Sequence, residues 1–194
     1  MTTELLNAWV EDQNLEVRLA PSLLEMAQVS SGAVFSADMK HRYALWRGTP
    51  NSRFVMFLML NPSTANEFKL DPTLKVCNQF TQAFGFDGFT VGNLSAFRSP
   101  DPKLLDGENL YQAGLFNDVI LRQLASRAEM VICAWGADKW LKSTAGYVLS
   151  RRVVDMLSED GITPHALRLT KEGHPAHPLY LPRDLRPFPM VGVL

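Results

Sequence analysis

At 194 residues, with 46% apolar side chains, the chain is long enough to form one domain with a sizeable core. No apolar run is long enough to span a bilayer. A formal net charge of −1 gives no global attraction to nucleic acid, so any DNA contact must rest on a local basic face.

Residues 1 to about 40 read as an N-terminal lead-in, irregular or partly helical, broken at Ser30-Ser31-Gly32. Its first residues, Met1 to Trp9, carry an acid and no basic stretch ahead of an apolar block, unlike a signal peptide. Residues 41–194 read as a single α/β domain. Arg42 to Arg47 alternates and predicts an edge strand, paired through the Thr49–Ser52 turn with Phe54–Leu60 as a hairpin. Asp71-Pro72-Thr73 is a helix start, an Asp N-cap with Pro at the first helical position. Leu74, Cys77, Phe80 and Phe84 then recur at helical spacing until Gly85.

A strand over 89–94 follows, then the Pro-bearing loop Arg98-Ser99-Pro100-Asp101-Pro102. A helix over roughly 108–126 carries Leu115, Val119, Ile120 and Leu124 on its inner face. A strand over 130–134, a helix over about 140–158 and a strand over 165–169 complete the alternation, before an extended, Pro-rich tail. Alternating strands and helices predict a three-layer α/β sandwich with a central, mainly parallel sheet. Cys77 and Cys133 fall in a predicted helix and strand, where burial as small hydrophobes suits a reducing cytosol better than a disulfide.

Four of the apolar runs stop abruptly in polar, Gly- or Pro-bearing loops. In α/β sheets such loops converge on a crevice outside the carboxyl ends of the strands, which is an enzyme-like layout. In Asn61-Pro62-Ser63-Thr64-Ala65, the Asn61 amide can donate and accept and so hold a water against a substrate; the same loop also suits a plain strand-to-helix turn. Asp71 is a cap, or else a carboxylate acting as base or stabilising a cation. Trp135 is either core or a stacking surface for a base, and Phe97-Arg98 offers an aromatic beside a cation. His174-Pro175-Ala176-His177-Pro178 holds half of the chain's four histidines; with no accompanying Cys or acidic cluster it points to a general acid or anion-stabilising His rather than a metal site. No Gly-rich phosphate loop or nucleophile elbow is present.

Taken together, Arg42-Tyr43 with Leu45-Trp46-Arg47, Met59–Ala65, Asp71-Pro72-Thr73, Gly92-Asn93-Leu94 with Phe97-Arg98, Ala134–Ala137 and Leu169–Leu181 resemble the DUF1643 family, over about residues 40–185. Asn66 and Ala176 depart from that family's usual Asp and basic residue. The order of the loops also resembles, more distantly, the uracil-DNA glycosylase superfamily. In that superfamily an Asn-Pro or Asp-Pro loop holds the attacking water, an Asn-bearing strand end follows, and a His-Pro loop contacts the leaving base.

The second resemblance implies a uracil-DNA-glycosylase-like fold and a monofunctional, cytoplasmic and monomeric DNA glycosylase without metal or nucleotide cofactor. Asn61, Asp71 and His174 would be catalytic. Pro62, Ser63, Thr64, Asn93, Phe97, Trp135 and His177 would bind a flipped base, and Arg98, Lys139 and Lys171 would meet phosphates. A base modified in foreign, phage-type DNA is a natural substrate for such a variant. The competing expectations are a non-catalytic reader of modified bases and a hydrolase or transferase acting on free nucleosides or nucleotides.

Overall fold

The structure, a computed structural model, describes residues 15–20, 31–48, 52–63, 71–99, 107–190 and 192, with the side chains of 15–20 and 107–115 outside the description. Its elements are β1 (Leu15–Ala20), β2 (Ser31–Ser36), β3 (Arg42–Arg47), β4 (Phe54–Met59), α1 (Pro72–Ala83), β5 (Gly88–Asn93), α2 (Gly107–Arg127), β6 (Ala128–Cys133), α3 (Thr144–Glu159), β7 (Pro164–Ala166) and β8 (Phe188–Pro189). The strands form one eight-stranded sheet in the order β1-β2-β3-β5-β4-β6-β7-β8.

The sheet is mixed rather than mainly parallel. The pairs β4–β5, β4–β6 and β6–β7 are parallel, and β1–β2, β2–β3, β3–β5 and β7–β8 are antiparallel. The crossover-rich middle of the chain obeys the βαβ rule, while each end folds back on the sheet as an antiparallel addition.

Two expectations for the N-terminal half are corrected. The described parts of the lead-in are strands β1 and β2, continuous with the sheet rather than irregular or helical. Gly32, read as a break, is a strand glycine opposite Trp46: a Cβ there would lie 2.2 Å from the indole ring. Nor is β3 an edge strand hairpinned to β4, because β5 lies between them and β3 pairs with β2 and β5. Its side chains are apolar on both faces, with Leu45 entering one core and Ala44 and Trp46 the other, so neither an edge nor a solvated face suits it.

Alternation along β4 divides the two cores. Val55, Phe57 and Met59 pack with α1, through Leu74, Cys77 and Phe80. Met56, Leu58 and Leu60 pack with α2 and α3, through Leu121, Leu124, Val153 and Leu157. Helices therefore cover both faces of the sheet, making three layers. Each fully buried side chain of β4 contributes on the order of 1.5–3 kcal/mol.

On α2, Ile120 and Leu124 face inward as expected, but Val119 is 46% exposed. The buried stripe runs instead through Asn117, Ile120, Leu121, Leu124 and Ala125, and Leu115 lies among the undescribed side chains. The helix expected over 140–158 is split into a 3₁₀ turn at Lys139–Lys142, capped by Asp138, and α3, capped by Ser143. The last parallel strand shortens to β7, and the tail supplies a 3₁₀ turn at Pro178–Tyr180 and strand β8. Cys77 and Cys133 are buried, unpaired in any disulfide, and burial raises both thiols.

Candidate functional site

The strand order places a crevice before any side chain is considered. From β4 the chain crosses through α1 to β5 on one side, then through α2 to β6 on the other, with α1 and α2 packed on opposite faces. The two crossovers diverge at the carboxyl end of β4, the topological switch point where α/β proteins bind ligands. A cavity of about 660 Å³ opens there. Its lining includes Leu60 and Asn61 after β4, Asn93 ending β5, and Trp135, Gly136, Ala137 and Asp138 after β6. Strand β3 is antiparallel to β5, so its first residue, Arg42, lies at the same edge.

Asn61 is fixed by its own amide. Nδ2 donates to the Ser99 carbonyl at 2.7 Å and to the Pro62 carbonyl at 3.3 Å, while the Ser99 N–H donates back to the Pro62 carbonyl at 3.0 Å. These bonds stitch the loop after β4 to the loop after β5. They engage the donor end of the amide and assign Oδ1 the acceptor role.

Asp71 is both cap and pocket wall. Its Oδ1 accepts from the Leu74 N–H at 2.8 Å, as the α1 N-cap, and its Oδ2 accepts from the Ser63 hydroxyl at 2.8 Å. Ser63 and Asp71 both line the cavity. The helix start thus fixes a carboxylate beside Asn61 in a single geometry.

The floor is polar and buried. Asn93 is 1% exposed, and both its Nδ2 and Oδ1 are buried without a hydrogen-bond partner among the described residues. Such an amide costs stability unless a ligand or water completes it. Arg42 is 3% exposed. Burial pushes its guanidinium down to about 10, with the Asp71 carboxylate pulling upward and the Arg98 cation downward. Trp135 belongs to the core packed by α2 and α3 and also lines the cavity, and its buried Nε1 has no partner among the described residues.

The last strand's loop closes the site with a histidine, and it is His177 rather than His174. Thr170 and His174 close a tight turn: the Thr170 N–H donates to the His174 carbonyl at 2.8 Å and the His174 N–H to the Thr170 hydroxyl at 3.3 Å. This turn holds His174 outside the cavity lining, with Nδ1 buried and unpartnered among the described residues. Beyond it, Ala176 N–H donates to the Arg168 carbonyl and Gly136 N–H to the Pro175 carbonyl, both at 2.8 Å, which brings Ala176 and His177 to the pocket.

Gly136 has φ +80°, and a Cβ there would stand 3.2 Å from the His177 Cβ, so the post-β6 loop can approach only as glycine. The Leu179 N–H donates to His177 Nδ1 at 3.4 Å, which assigns the neutral ring's proton to Nε2. Burial lowers the His177 pKa, against the opposing pull of Asp71. At neutral pH His177 is therefore an uncharged Nε2–H donor. Tyr180, 81% exposed at the rim, sits with its ring centroid 5.7 Å from that of His177.

The structure therefore brings Asn61, Ser63, Asp71, Asn93, Trp135 and His177 to one cavity. The other described candidates do not line it. Pro62 is buried beneath the loop and enters through its carbonyl. Phe97 packs edge-on against His41 at 5.8 Å, and Arg98 donates to the Met39 carbonyl and lies 5.0 Å over the Phe35 ring, so both are structural. Lys139 and Lys171 are exposed beside the lining residues Asp138 and Thr170, at the rim rather than in the cavity. Thr64 lies outside the described residues.

Sequence reasoning missed Arg42, Asp138, Thr170 and Tyr180 as site residues. The available signal for Arg42 was a charge at the head of a strand whose next four residues, Tyr43 to Trp46, are apolar or aromatic. Among the described residues no three His, Cys, Asp or Glu side chains cluster as a metal site, and no helix is long and apolar enough to cross a membrane. Chemically, the cavity offers an acceptor for water at Asn61, a fixed carboxylate at Asp71 and a neutral donor at His177.

Residues 42–179 match a family model described as a protein of unknown function, DUF1643. No curated protein and no solved structure matches the chain.

Proposed function

We propose that this chain, which belongs to the DUF1643 family, is a DNA glycosylase that hydrolyses the N-glycosidic bond of a modified base to leave an abasic site. The observation that carries the reading is the convergence, at one switch-point cavity, of an acceptor at Asn61 Oδ1, the Asp71 carboxylate and the His177 Nε2–H donor.

Glycosidic cleavage builds positive charge on the sugar and negative charge on the departing base. A water held by Asn61 Oδ1 attacks C1′ as the C1′–N bond breaks, and the bonding pair leaves on the base nitrogen. The water's proton passes to Asp71 or to solvent, and the carboxylate stabilises the oxocarbenium-like sugar. An amide suffices to orient the water, because the electrophile is already activated. His177 donates toward the base as negative charge develops on it, and a neutral donor fixed in advance is effective there. Asn93 reads a base edge with its unpartnered amide. The cavity of about 660 Å³ suits a base bearing a substituent, since pockets of roughly 300–1,000 Å³ hold drug-sized ligands. A base of the foreign, phage-modified kind fits that requirement.

The test is base excision on DNAs containing uracil, hypoxanthine, or hydroxymethylated or glycosylated cytosine, read as alkali-labile breaks and as released base by mass spectrometry. Excision lost in Asn61→Ala and His177→Ala is the expected result. Tight binding of one DNA without excision would replace the enzyme with a reader of modified bases. Turnover of free nucleosides without DNA binding would replace it with a small-molecule hydrolase.

A further inference from the structure

Asn93 ends β5, where the ladder runs out and carbonyls need donors from elsewhere. Those donors come from α2. Asn117, 1% exposed, donates through Nδ2 to the Asn93 carbonyl at 2.9 Å and to the Leu94 carbonyl at 3.0 Å. One side-chain amide thus grips two consecutive carbonyls at the point where the backbone leaves the sheet for the cavity.

The contact is expensive to keep. Asn117 Oδ1 is buried without a partner among the described residues, and a leucine of similar size would remove that orphaned acceptor. Asn117 also interrupts the apolar stripe of Ile120, Leu121 and Leu124 that packs α2 on the sheet. Its neighbour Asn93 is in the same condition, buried with both amide atoms unpartnered, and Asn93 lines the cavity. Two buried amides are thus coupled, one gripping the backbone of the other, and Asn93 is the member that lines the cavity.

We propose that Asn117 is a positioning residue, which clamps the end of β5 so that the Asn93 amide presents one fixed orientation to the ligand. The proposal deepens the glycosylase reading, on which its kinetic consequence rests, but the clamp itself is a property of the fold. By this account Asn117 acts on recognition rather than on bond cleavage, because its amide donates to the Asn93 and Leu94 carbonyls alone, while Asn61 is held by the Ser99 and Pro62 carbonyls, Asp71 by the start of α1 and His177 by the Leu179 N–H.

The experiment compares wild type, Asn117→Leu, Asn117→Ser and Asn93→Ala. Asn117→Leu removes both donors together with the orphaned acceptor; Asn117→Ser retains a hydroxyl donor. The first readout needs no activity: the side-chain NH₂ signals of Asn93 in the nitrogen-15 spectrum of the full chain, assigned by their loss in Asn93→Ala. The expected result is one sharp pair in wild type, shifted or broadened in Asn117→Leu and nearer wild type in Asn117→Ser. An Asn93 pair unchanged in Asn117→Leu overturns the clamp.

The second readout is excision on the best substrate of the panel. Asn117→Leu is expected to raise KM about tenfold with kcat within about twofold, and to have no further effect on KM in the Asn93→Ala background. A kcat loss with KM unchanged, or additive effects of the two substitutions, overturns the assigned role. Wild type that excises nothing, with the Asn93 signals still responding to Asn117→Leu, would sink the glycosylase reading and leave the clamp standing.

Discussion

The cavity edge of the sheet and the outer face of α2 and α3 treat polar groups in opposite ways. On the outer face charges are exposed and paired within the chain: Arg152 with Asp118 at 3.0 Å, Arg151 with Asp155 at 3.1 Å, and Arg122 with Asp160. At the cavity edge polar groups are buried, and several have no partner among the described residues, Asn93 and the Trp135 indole among them. The outer face leaves most of its charges in water and owes the exposed pairs little stability, Asp118 being the part-buried exception whose carboxyl burial raises. The cavity edge buries polar groups whose hydrogen bonds the described residues do not complete, a pattern that points to function rather than to folding.

If that contrast is correct, substitutions at the edge should cost activity out of proportion to stability. The largest effects belong to Asn61 and His177. Asn61→Ala and His177→Ala are each expected to lower kcat for base excision by roughly 10²–10⁴-fold, the usual worth of a positioned proton-transfer or oxyanion-type group. Near wild-type turnover in either variant would remove that residue from the chemistry.

Asp71 sharpens the comparison, because it belongs to both categories at once. Asp71→Asn keeps a good N-cap for α1 but removes the charge, so activity should fall with the melting temperature nearly unchanged. Asp71→Ala removes both, and should in addition lose about 1 kcal/mol of stability in denaturant unfolding. Equal stability losses in the two variants would mean that the charge, rather than the cap, holds the helix start.

The elements legible in the sequence were those whose signals are local. The Asp71-Pro72 cap, the apolar spacing of α1 and the strand at β4 are written in adjacent residues, and the structure has them where expected. What stayed hidden depended on partners distant in the chain. That β5 inserts between β3 and β4 is decided by packing on both faces of β3, which a turn signal at 49–52 cannot reveal. Gly32 read as a break because its reason, the Trp46 ring, sits on another strand.

The site divided in the same way. Asn61, Asn93 and Trp135 were singled out because strand ends are visible as abrupt stops of apolar runs, and Asp71 because Asp-Pro-Thr marks a helix start; all four line the cavity. The exchange of His174 for His177 turned on hydrogen bonds closing the 170–174 turn, and two neighbouring His-Pro pairs carry no sign of which one faces inward. The role of Arg42 was concealed by its place at the start of a strand antiparallel to β5.

The burial of two histidines also predicts a pH dependence. Burial lowers the pKa of both His177 and His41, so the unfolded chain binds protons at these positions before the folded one does. Their contribution to stability is therefore complete above about pH 6.5, the unfolded value, and is lost as pH falls through the lowered folded values. The carboxylates Asp38 and Glu172, held low by hydrogen bonds, act only in a more acidic window, and Asp118, raised by burial, acts in the opposite sense because the folded chain binds its proton first. Melting temperature should thus decline from pH 7 to pH 5, and His177→Gln should flatten part of that decline. An unaltered slope in this variant would show that His177 titrates alike in the folded and unfolded chains.

The smallest expected effect tests the other side of the comparison. Arg151 and Asp155 lie one turn apart on α3, about half exposed, and Arg152 reaches across to Asp118 on α2. Water solvates each ion nearly as well as its partner does, and fixing two long side chains costs rotamer entropy. Arg151→Ala and Arg152→Ala should each shift unfolding free energy by about 0.2–1 kcal/mol, Arg152→Ala by more because Asp118 is the less exposed acid. Excision should be unchanged in both. If Arg152→Ala instead lowered excision while leaving the melting temperature alone, the outer face would be communicating with the cavity through α2, where the buried Asn117 directly precedes Asp118. The two regions would then be functionally joined, and pairing of charges within the chain would no longer mark a surface as inert.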